Sequence, residues 1–276
     1  MLLQQDIQQF VKSAIKEDVG RHDIFGILGL NHRIKGSVLA KEKGIFSGEV
    51  YAKTLLEFYG IQYVMHKLDG EYFEKNDILL QVEGCFSDVL IIERTLLNIL
   101  QHSSGIATLT HSYVRALNNP RIKLLDTRKT RPLLREFEKY SVRNGGGINH
   151  RFGLDDCVML KDTHRMGIVN LKQTIAQIRS KFWGIVIEVE SENLEEFKES
   201  CFANADIVMC DNMSVSEIQE CVEYRNSNYP HIQIEVSGGI CLENLSDYSS
   251  LDIDAISIGS MIHHAQFVDL SMKIQK

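Results

Sequence analysis

The stretch Ile122-Lys-Leu-Leu-Asp-Thr-Arg-Lys129 places a short apolar run directly before a polar cluster. The same order recurs along the chain in apolar runs at 157–160, 185–189, 207–209, 232–236 and 255–258. Such runs are typical of parallel strands that are buried on both faces. Helical patterns separate most of them, at 132–140, 171–182, 194–201 and after a capping box at 214–217. Six alternations of strand, loop and helix favour an α/β barrel over an open sheet.

Polar or glycine residues follow every one of these apolar runs. The clusters lie at 126–129, 161–164, 188–190, 211–212, 237–239 and 259–260. In a parallel barrel the carboxyl ends of the strands meet at one mouth, where barrel enzymes bind their substrates. A lone acid after a strand can equally cap the next helix, so Asp211 alone would leave both interpretations open. Six clusters in equivalent positions predict a binding site at this mouth.

Positive charge is concentrated in the same part of the chain. Residues 121–165 carry a net charge of +5, whereas the other 231 residues carry −12. A cationic region in an acidic protein indicates a small anionic ligand, because nucleic-acid binders usually spread positive charge over a whole face. Within this region, the helical spacing of charges at 131–139 favours a solvated helix surface with ion pairs. A barrel without activity that binds tRNA or another polyanion is the alternative from a different class.

The residues at the predicted mouth fall into three chemical groups. One group offers small side chains and accessible backbone amides, which suit a phosphate: Ser237, Gly238, Gly239, Gly259 and Ser260. A second group is acidic and could bind sugar hydroxyls, hold a divalent cation or stabilise a carbocation: Glu188, Glu190 and Asp211. A third group supplies positive charge for carboxylates or phosphates: Arg128, Lys129, His150, Arg151 and Lys161. The three groups together imply a phosphosugar bound beside a second anionic substrate.

The N-terminal part of the chain has a different rhythm. Amphipathic helices are predicted at 4–16 and 48–59, and strands at 34–40, 63–68 and 78–83. A long helix is predicted from an N-cap at Ser87 to Leu117, with a break near 103–105. These patterns predict an antiparallel α+β unit.

Composition limits the class of protein. The chain has 276 residues, 44% apolar content and a net charge of −7, as expected for a soluble globular protein. We find no leader pattern and no apolar run of membrane-spanning length, so we expect a cytoplasmic protein. The six cysteines lack metal-binding spacing and are predicted to be small core residues in a reducing compartment.

Specific motifs carry a family resemblance along nearly the whole chain. In order they are Glu93-Arg-Thr-Leu-Leu-Asn-Ile-Leu, Ser104-Gly-Ile-Ala-Thr, Asp126-Thr-Arg-Lys-Thr-Arg-Pro, Glu138-Lys-Tyr, Asn144-Gly-Gly-Gly-Ile-Asn-His-Arg, Leu160-Lys-Asp-Thr-His, Glu188-Val-Glu, Asp211-Asn-Met, Ser237-Gly-Gly-Ile and Ile258-Gly-Ser. The Thr-Arg-Lys-Thr and Gly-Gly-Gly-x-Asn-His-Arg motifs are highly specific. The sequence resembles the nicotinate-nucleotide pyrophosphorylase family, also called quinolinate phosphoribosyltransferase.

The resemblance implies a fold and an assembly. It implies an N-terminal α/β sandwich (α+β) domain at about 1–118 and an open, seven-stranded α/β barrel at about 119–264, one strand more than the apolar runs indicate. The tail at about 265–276 could pack with the first domain. The resemblance also implies a homodimer, or a hexamer built as a trimer of dimers, in which the N-terminal domain of a partner completes each barrel mouth.

The resemblance further implies a pentosyltransferase reaction of de novo NAD biosynthesis. Phosphoribosyl pyrophosphate and quinolinate would give nicotinate mononucleotide, pyrophosphate and CO2, with Mg²⁺ as cofactor. Carried over by motif, the quinolinate site would comprise Arg128, His150, Arg151 and Lys161, with Arg94 reaching in from the neighbouring subunit. The phosphoribosyl pyrophosphate site would comprise Lys129, Glu190, Asp211, Ser237, Gly238, Gly239, Gly259 and Ser260. Catalysis would fall to Lys129, Lys161, Glu190 and Asp211, with Glu190 and Asp211 also holding Mg²⁺ directly or through water. The roles of Glu188 and His263 stay open.

Two other families share this fold and differ in the acid-binding pocket. A molybdate-operon pyrophosphorylase-like protein that acts on another acceptor is the alternative, and nicotinate phosphoribosyltransferase is a more distant relative. The complete set of cations favours a dicarboxylate over nicotinate: Arg94, Arg128, His150, Arg151 and Lys161. The segments at 21–25 and 44–48 and the sequence Ser260-Met-Ile-His match the family pattern less closely, which affects loops and oligomer contacts more than chemistry.

Overall fold

The structure is a computed structural model that describes residues 4–275, so residues 1–3 and 276 at the outer limits of the predicted domains lie outside it. The helices are α1 Gln4–Val19, α2 Glu49–Phe58, α3 Phe86–Leu117, α4 Arg135–Asn144, α5 Asp162–Arg165, α6 Leu171–Lys181, α7 Leu194–Phe202, α8 Val215–Asn228 and α9 Ser260–His263. The strands are β1 Arg33–Ala40, β2 Gly44–Ile45, β3 Gln62–Met65, β4 Tyr72–Phe73, β5 Ile78–Cys85, β6 Lys123–Leu125, β7 Val158–Leu160, β8 Ile187–Ser191, β9 Ile207–Asp211, β10 Gln233–Ser237, β11 Ala255–Ser257 and β12 Leu270–Gln275. Among the described residues, no helix combines the length and apolar character that a bilayer crossing needs.

Two compact units make up the chain. The first contains the residues up to His111, Glu136–Gly146 and the residues from His264 onward. The second contains Ser112–Arg135 and Gly147–His263. The chain therefore passes between the units more than once.

The first unit is built on an antiparallel sheet with the strand order β12-β1-β5-β3. Alternating side chains of its strands bury one face, since Leu80 and Val82 on β5 and Val38 on β1 are almost fully buried. Helix α1 packs on α2, and the buried side chains of α1, Ile7, Val11 and Ile15, belong to the same core. The predicted antiparallel α+β unit agrees with this architecture.

Helix α3 differs from its prediction in two respects. It runs without a break through 103–105, because Ser103 and Ser104 bond to Ser47 and are fully buried. Gly105 is also well suited to this helix, since a Cβ there would lie 2.0 Å from the carbonyl oxygen of Gln266. The helix begins at Phe86, so Ser87 lies inside it and is not its N-cap.

A second correction concerns the charges at 131–139. The predicted solvated helix surface is wrong for Glu138 and Lys139, which lie on α4 and are fully buried. The imidazole Nε2 of His102 lies 3.1 Å from a carboxylate oxygen of Glu138. Burial of the Glu138 carboxylate is tolerated because it is paired with His102.

The second unit contains a parallel sheet of six strands in the order β6-β11-β10-β9-β8-β7. A parallel bridge between Leu125 and Ile148 adds a further extended segment beside β6. Helices alternate with the strands, and α8 has the predicted capping box at Ser214 and Glu217. The predicted mixed α/β class, with a parallel α/β unit and an antiparallel N-terminal unit, is confirmed.

The strands that carry the acidic residues extend further toward their carboxyl ends than the apolar runs indicated. Strand β8 continues through Glu190 to Ser191, and β9 ends at Asp211 instead of Met209. Backbone pairing continues beyond the apolar residues because Glu190 is opposite Met209 and Asp211 is opposite Ser237. Both acids are therefore held by a sheet and not by a loop.

Candidate active site

A cavity of about 380 Å³ opens at the carboxyl ends of the parallel strands in the second unit. Strands β6 to β11 and the residues that follow them supply its walls. The lining residues are Thr127, Arg128, Lys129, His150, Arg151, Met159, Lys161, Asp162, Glu190, Glu192, Met209, Asp211, Glu235, Ser237 and Ser257.

Strand periodicity explains why acids and small polar residues face this cavity. Side chains two apart on a strand point to the same side. Glu188 and Glu190 on β8 are therefore on the same side, as are Glu235 and Ser237 on β10. The Glu188 carboxylate lies beneath the cavity lining and is fully buried, whereas Glu190 lines the cavity directly.

Two arginines give the cavity its positive charge. Arg128 follows β6 and has a buried Nε with no hydrogen-bond partner. Burial lowers the pKa of Arg128, as do the neighbouring charges of Arg151 and Arg135. The guanidinium of Arg151 donates to the carbonyl of Cys157 at 3.3 Å and to the sulfur of Met159 at 3.4 Å. Within residues 4–275, neither Arg128 nor Arg151 forms an ion pair, so both can receive an anion.

Two lysines occupy different positions at the cavity. The ammonium of Lys161, just after β7, lies 2.7 Å from Glu190. Lys129 is exposed, and its backbone N–H bonds to the hydroxyl of Thr127 at 3.0 Å. Lys161 is therefore already paired with an acid, whereas the side chain of Lys129 extends toward solvent.

His150 lies between two buried carboxylates at the base of the cavity. Its Nε2 is 3.1 Å from Glu188 and 3.3 Å from Glu235. Burial lowers the pKa of His150, but the hydrogen bonds and charges of the two carboxylates outweigh burial and raise it to about 10. Burial, with the nearby charge of Glu235, raises the pKa of Glu188 to about 6 against the lowering effect of His150. His150 and Glu188 therefore both keep their protons to higher pH than the same side chains would in water, because the pKa of each is raised.

The turn after β10 contains two consecutive glycines with positive φ. Gly238 has a φ of +92°, and a Cβ there would lie 2.3 Å from the side-chain oxygen of Asn212. Gly239 has a φ of +64° with open space around its missing Cβ. Glycine is required at the first position for both conformation and close approach. Gly259, after β11, lies against Lys129, since a Cβ there would be 3.1 Å from that side chain.

The structure gathers most of the predicted site residues into one cavity. Those that line it are Arg128, Lys129, His150, Arg151, Lys161, Glu190, Asp211 and Ser237. Gly238, Gly239, Gly259 and Ser260 follow β10 and β11 and lie outside its lining. Arg94 belongs to the first unit, where it is exposed on α3. Of the two residues whose roles stayed open, Glu188 contacts His150, and the ring of His263 lies near Gly259.

Glu235 lines the cavity but is not among the predicted site residues. It lies inside the run 232–236, which was interpreted as an ordinary buried strand. The period-2 relation to Ser237 was the signal that could have placed it at the cavity. The other lining residues without a predicted role are Thr127, Met159, Asp162, Glu192, Met209 and Ser257.

Glu190 and Asp211 have the chemistry that a magnesium ion requires. They lie on neighbouring strands, and Mg²⁺ prefers carboxylate oxygens together with water and substrate phosphates. Among the described residues, Glu190 uses one oxygen for Lys161 and Asp211 uses one for Asn212. His150, Cys157 and Glu188 also have ligand atoms within 4.8 Å of one another, but nitrogen and sulfur ligands suit softer metals.

Comparisons with known proteins agree with this geometry. Residues 106–273 match the family model described as quinolinate phosphoribosyl transferase, C-terminal domain, and residues 23–104 match the N-terminal domain of the same family. The chain is 39% identical to a probable nicotinate-nucleotide pyrophosphorylase (carboxylating) of Methanocaldococcus jannaschii, over 96% of each chain. It is 37% identical to the Bacillus subtilis protein of the same name, over 97% of this chain and 93% of that one. The crystal structure of NadC from Streptococcus pyogenes superposes with a TM-score of 0.93 at 37% identity, over 100% of this chain and 98% of that one.

Proposed function

Because this chain belongs to the quinolinate phosphoribosyl transferase family, we propose that it transfers phosphoribosyl from phosphoribosyl pyrophosphate to quinolinate. The products would be nicotinate mononucleotide, pyrophosphate and CO2. The observation that carries the proposal is that one cavity brings together two strand-borne acids and two arginines that have no carboxylate partner among residues 4–275. The name of the M. jannaschii and B. subtilis relatives favours this reaction over the molybdate-operon alternative.

The two arginines provide the acid-binding part of the site. Quinolinate has two adjacent carboxylates, and each needs a cation when it leaves water. A pair of unit charges about 4 Å apart is worth roughly 4 kcal/mol at an effective dielectric constant near 20. Arg128 and Arg151 can each bind a carboxylate through two N–H groups. A monocarboxylate such as nicotinate would leave one of them without an anion, which favours the dicarboxylate.

The two acids face the phosphoribosyl end of the site. When pyrophosphate leaves, positive charge develops on the ribose ring. Glu190 and Asp211 would stabilise that charge, because both are fixed in strands before the reaction starts. Glu190 and Asp211 are also the residues that would hold Mg²⁺, which when bound supplies charge to stabilise the pyrophosphate leaving group.

Loss of CO2 needs little additional machinery. Once its nitrogen carries ribose, the pyridine ring is cationic and stabilises the electron pair that the breaking carbon–carboxylate bond leaves on the ring carbon, and that carbon then takes a proton from solvent water. The protein then has to keep the ring in position and exclude competing geometries. We assign that task to the arginine pair and to Lys161, which lies beside Glu190.

The proposal extends to an oligomer in which Arg94 acts on the site of a partner subunit. Arg94 is exposed in the first unit, as a residue that serves another chain would be. Mixing inactive Arg94→Ala subunits with inactive Glu190→Ala subunits should then restore part of the activity. Equal mixing of two Glu190→Ala preparations is the control, and the absence of recovery in the mixed sample would count against a shared site.

A polyanion-binding barrel fits these observations less well. Arg128 and Arg151 line a concave cavity that also holds Glu190 and Asp211, whereas nucleic acid requires an extended basic surface. Filter binding at physiological salt tests this alternative. Micromolar RNA affinity that disappears in Arg128→Ala would support it.

A cytoplasmic location remains part of the proposal.

The deciding experiment measures CO2 released from carboxyl-labelled quinolinate. Release should require phosphoribosyl pyrophosphate and magnesium, and excess nicotinate should not compete. Glu220→Gln, an exposed residue of α8, serves as the matched control for charge removal. A folded protein that releases no label under these conditions would overturn the proposed reaction.

A further inference from the structure

Two fully buried carboxylates below the cavity have no evident partner other than one imidazole. Glu188 and Glu235 are 0% and 1% exposed. Among residues 4–275, the imidazole of His150 is the group within ion-pair distance of each of them. Burying two carboxylates against a single ring costs free energy, because each loses its hydration. The arrangement therefore points to a role for the two carboxylates that acts through the ring.

Both ring nitrogens of His150 contact groups of the protein. The Nε2 edge lies against Glu188 and Glu235, and Nδ1 accepts a hydrogen bond of 2.7 Å from the backbone N–H of Arg151. A hydrogen on Nδ1 would clash with the backbone N–H of Arg151 at this distance, so the geometry is that of the neutral ring with its proton on Nε2, although the two carboxylates raise the pKa of His150. In this geometry the ring acts on Arg151 and does not direct an N–H into the cavity.

The backbone around His150 is fixed from a second direction. The backbone N–H of His150 donates to the buried carboxylate of Asp126 at 2.9 Å, and the side chain of Asn149 donates to the same group at 2.6 Å. The guanidinium of Arg151, in contrast, is held by one carbonyl and one sulfur at 3.3 Å and 3.4 Å. Residues 149–151 are therefore held by shorter hydrogen bonds at their backbone than at the guanidinium of Arg151. One of these backbone bonds is accepted by Nδ1 of His150.

We propose that Glu235, together with Glu188, is a positioning residue for the acid-binding arginine. Oε2 of Glu235 lies 3.3 Å from Nε2 of His150, and Glu188 lies 3.1 Å from the same nitrogen without hydrogen-bond geometry, while Nδ1 of His150 accepts from the backbone N–H of Arg151. This inference rests on the proposed function, because it gives Arg151 the task of binding a substrate carboxylate. It assigns Glu235 a role that its position inside an apolar strand does not suggest.

The first test separates the effects on the two substrates. Glu235→Ala should raise KM for quinolinate about tenfold, because the ring loses a hydrogen-bond acceptor and Arg151 loses its fixed position. It should leave kcat and KM for phosphoribosyl pyrophosphate within about twofold. Glu235→Gln keeps an oxygen acceptor for Nε2 and should restore KM for quinolinate to within about threefold of the parent value. A general structural defect would instead change both KM values and would not be rescued.

A double-mutant cycle tests whether Glu235 acts through His150. His150→Asn places an oxygen near the position of Nδ1 and has no atom at the position of Nε2. In that background Glu235→Ala should change KM for quinolinate less than about twofold. A full tenfold effect in both backgrounds would overturn the inference. Where Glu235→Ala does not fold, Glu188→Ala provides the same cycle from the other carboxylate.

A binding measurement keeps this inference separate from the proposed reaction. Phthalate is an aromatic 1,2-dicarboxylate that cannot accept ribose, and calorimetry gives its Kd without turnover. Weaker phthalate binding in Glu235→Ala, rescued by Glu235→Gln, would support the inference even if the wild type released no CO2. A wild type that releases CO2 while its Glu235→Ala variant binds phthalate normally would overturn the inference and leave the function standing. Failure of the wild type to bind phthalate would also overturn it.

Discussion

An arginine lies at each end of the parallel sheet, and the two arginines differ in the contacts that they make with the protein. At the amino end, Arg225 of α8 donates to the backbone carbonyls of Ile232 and Asp252 and lies 3.6 Å from the carboxylate of Asp254. Asp254 also accepts the backbone N–H of Ile234 at 2.7 Å. At the carboxyl end, Arg128 forms no ion pair among the described residues, although the Nε atoms of Arg128 and Arg225 both lack a hydrogen-bond partner there. An arginine with protein partners stabilises the fold, whereas one without them is available to a ligand.

The largest expected effect follows from removing a cation at the carboxyl end. Arg128→Ala should lower kcat/KM for quinolinate by about a hundredfold to a thousandfold, because a charge-assisted, two-point contact is lost. Its melting temperature should not fall, since no protein partner is left unpaired. Steady-state kinetics and thermal unfolding of the same preparation check both halves. A marked fall in melting temperature would mean that Arg128, like Arg225, stabilises the fold, and the contrast between the two arginines would then be wrong.

Removing an arginine at the amino end should have the reverse effect. Arg225→Ala should reduce the free energy of unfolding by about 2–3 kcal/mol, because buried carbonyls and a carboxylate lose a charged donor. Urea unfolding measures this loss. The kinetic constants of the folded fraction should stay within about twofold of the parent values. A change in KM for quinolinate would show that the two ends are not independent.

An intermediate effect is expected in the glycine turn after β10. Gly238→Ala should raise KM for phosphoribosyl pyrophosphate about tenfold, since the new methyl group would displace Asn212 and the turn. Gly239→Ala is the matched comparison, because both positions have positive φ but only the first lacks space. Its effect should be several times smaller and should reflect backbone strain of about 1 kcal/mol. Equal effects of the two substitutions would mean that the positive φ, and not the close approach of Gly238 to Asn212, accounts for the change in KM.

The prediction with the smallest consequence for the proposed reaction concerns the thiol of Cys157, near Arg151. Burial, followed by the charge of Glu188, raises its pKa to about 11, with Arg151 opposing the rise. The thiolate is therefore scarce below that pH, and alkylation by iodoacetamide at pH 8 should be slower than in the urea-unfolded protein by more than tenfold per thiol. Mass spectrometry of the alkylated peptide gives the rate. Fast modification in the folded state would mean that Arg151 lowers the pKa of Cys157 by more than burial raises it.

Several features of the site could be predicted from the sequence because they depend on local patterns. Apolar runs followed by Arg128, Lys161, Glu190 and Asp211 placed these residues at one end of a parallel sheet, and they line one cavity. The capping box at Ser214 was equally local. Their common property is that strand alternation or a short motif fixes the direction of the side chain.

Other features depend on contacts between distant segments and could not be predicted. Glu235 looked like part of an apolar strand, and its pairing with His150 requires the folded sheet. Burial of Glu138 and Lys139 was missed because helical spacing does not reveal which face meets the core. Ser103, Ser104 and Gly105 looked like a helix break, but in the fold they bond to one neighbouring segment and make room for another.

The pairing of β12 with β1 has a consequence for biosynthesis. Lys35 is opposite Gln275 in this antiparallel pair, so one sheet joins segments from nearly the first and nearly the last part of the chain. During translation β1 therefore has an open edge until residues 270–275 have left the ribosome, although residues 147–263 of the second unit are already available. The unit that is synthesised first is thus the one completed last, and its exposed edge is the part of the nascent chain most in need of protection from aggregation.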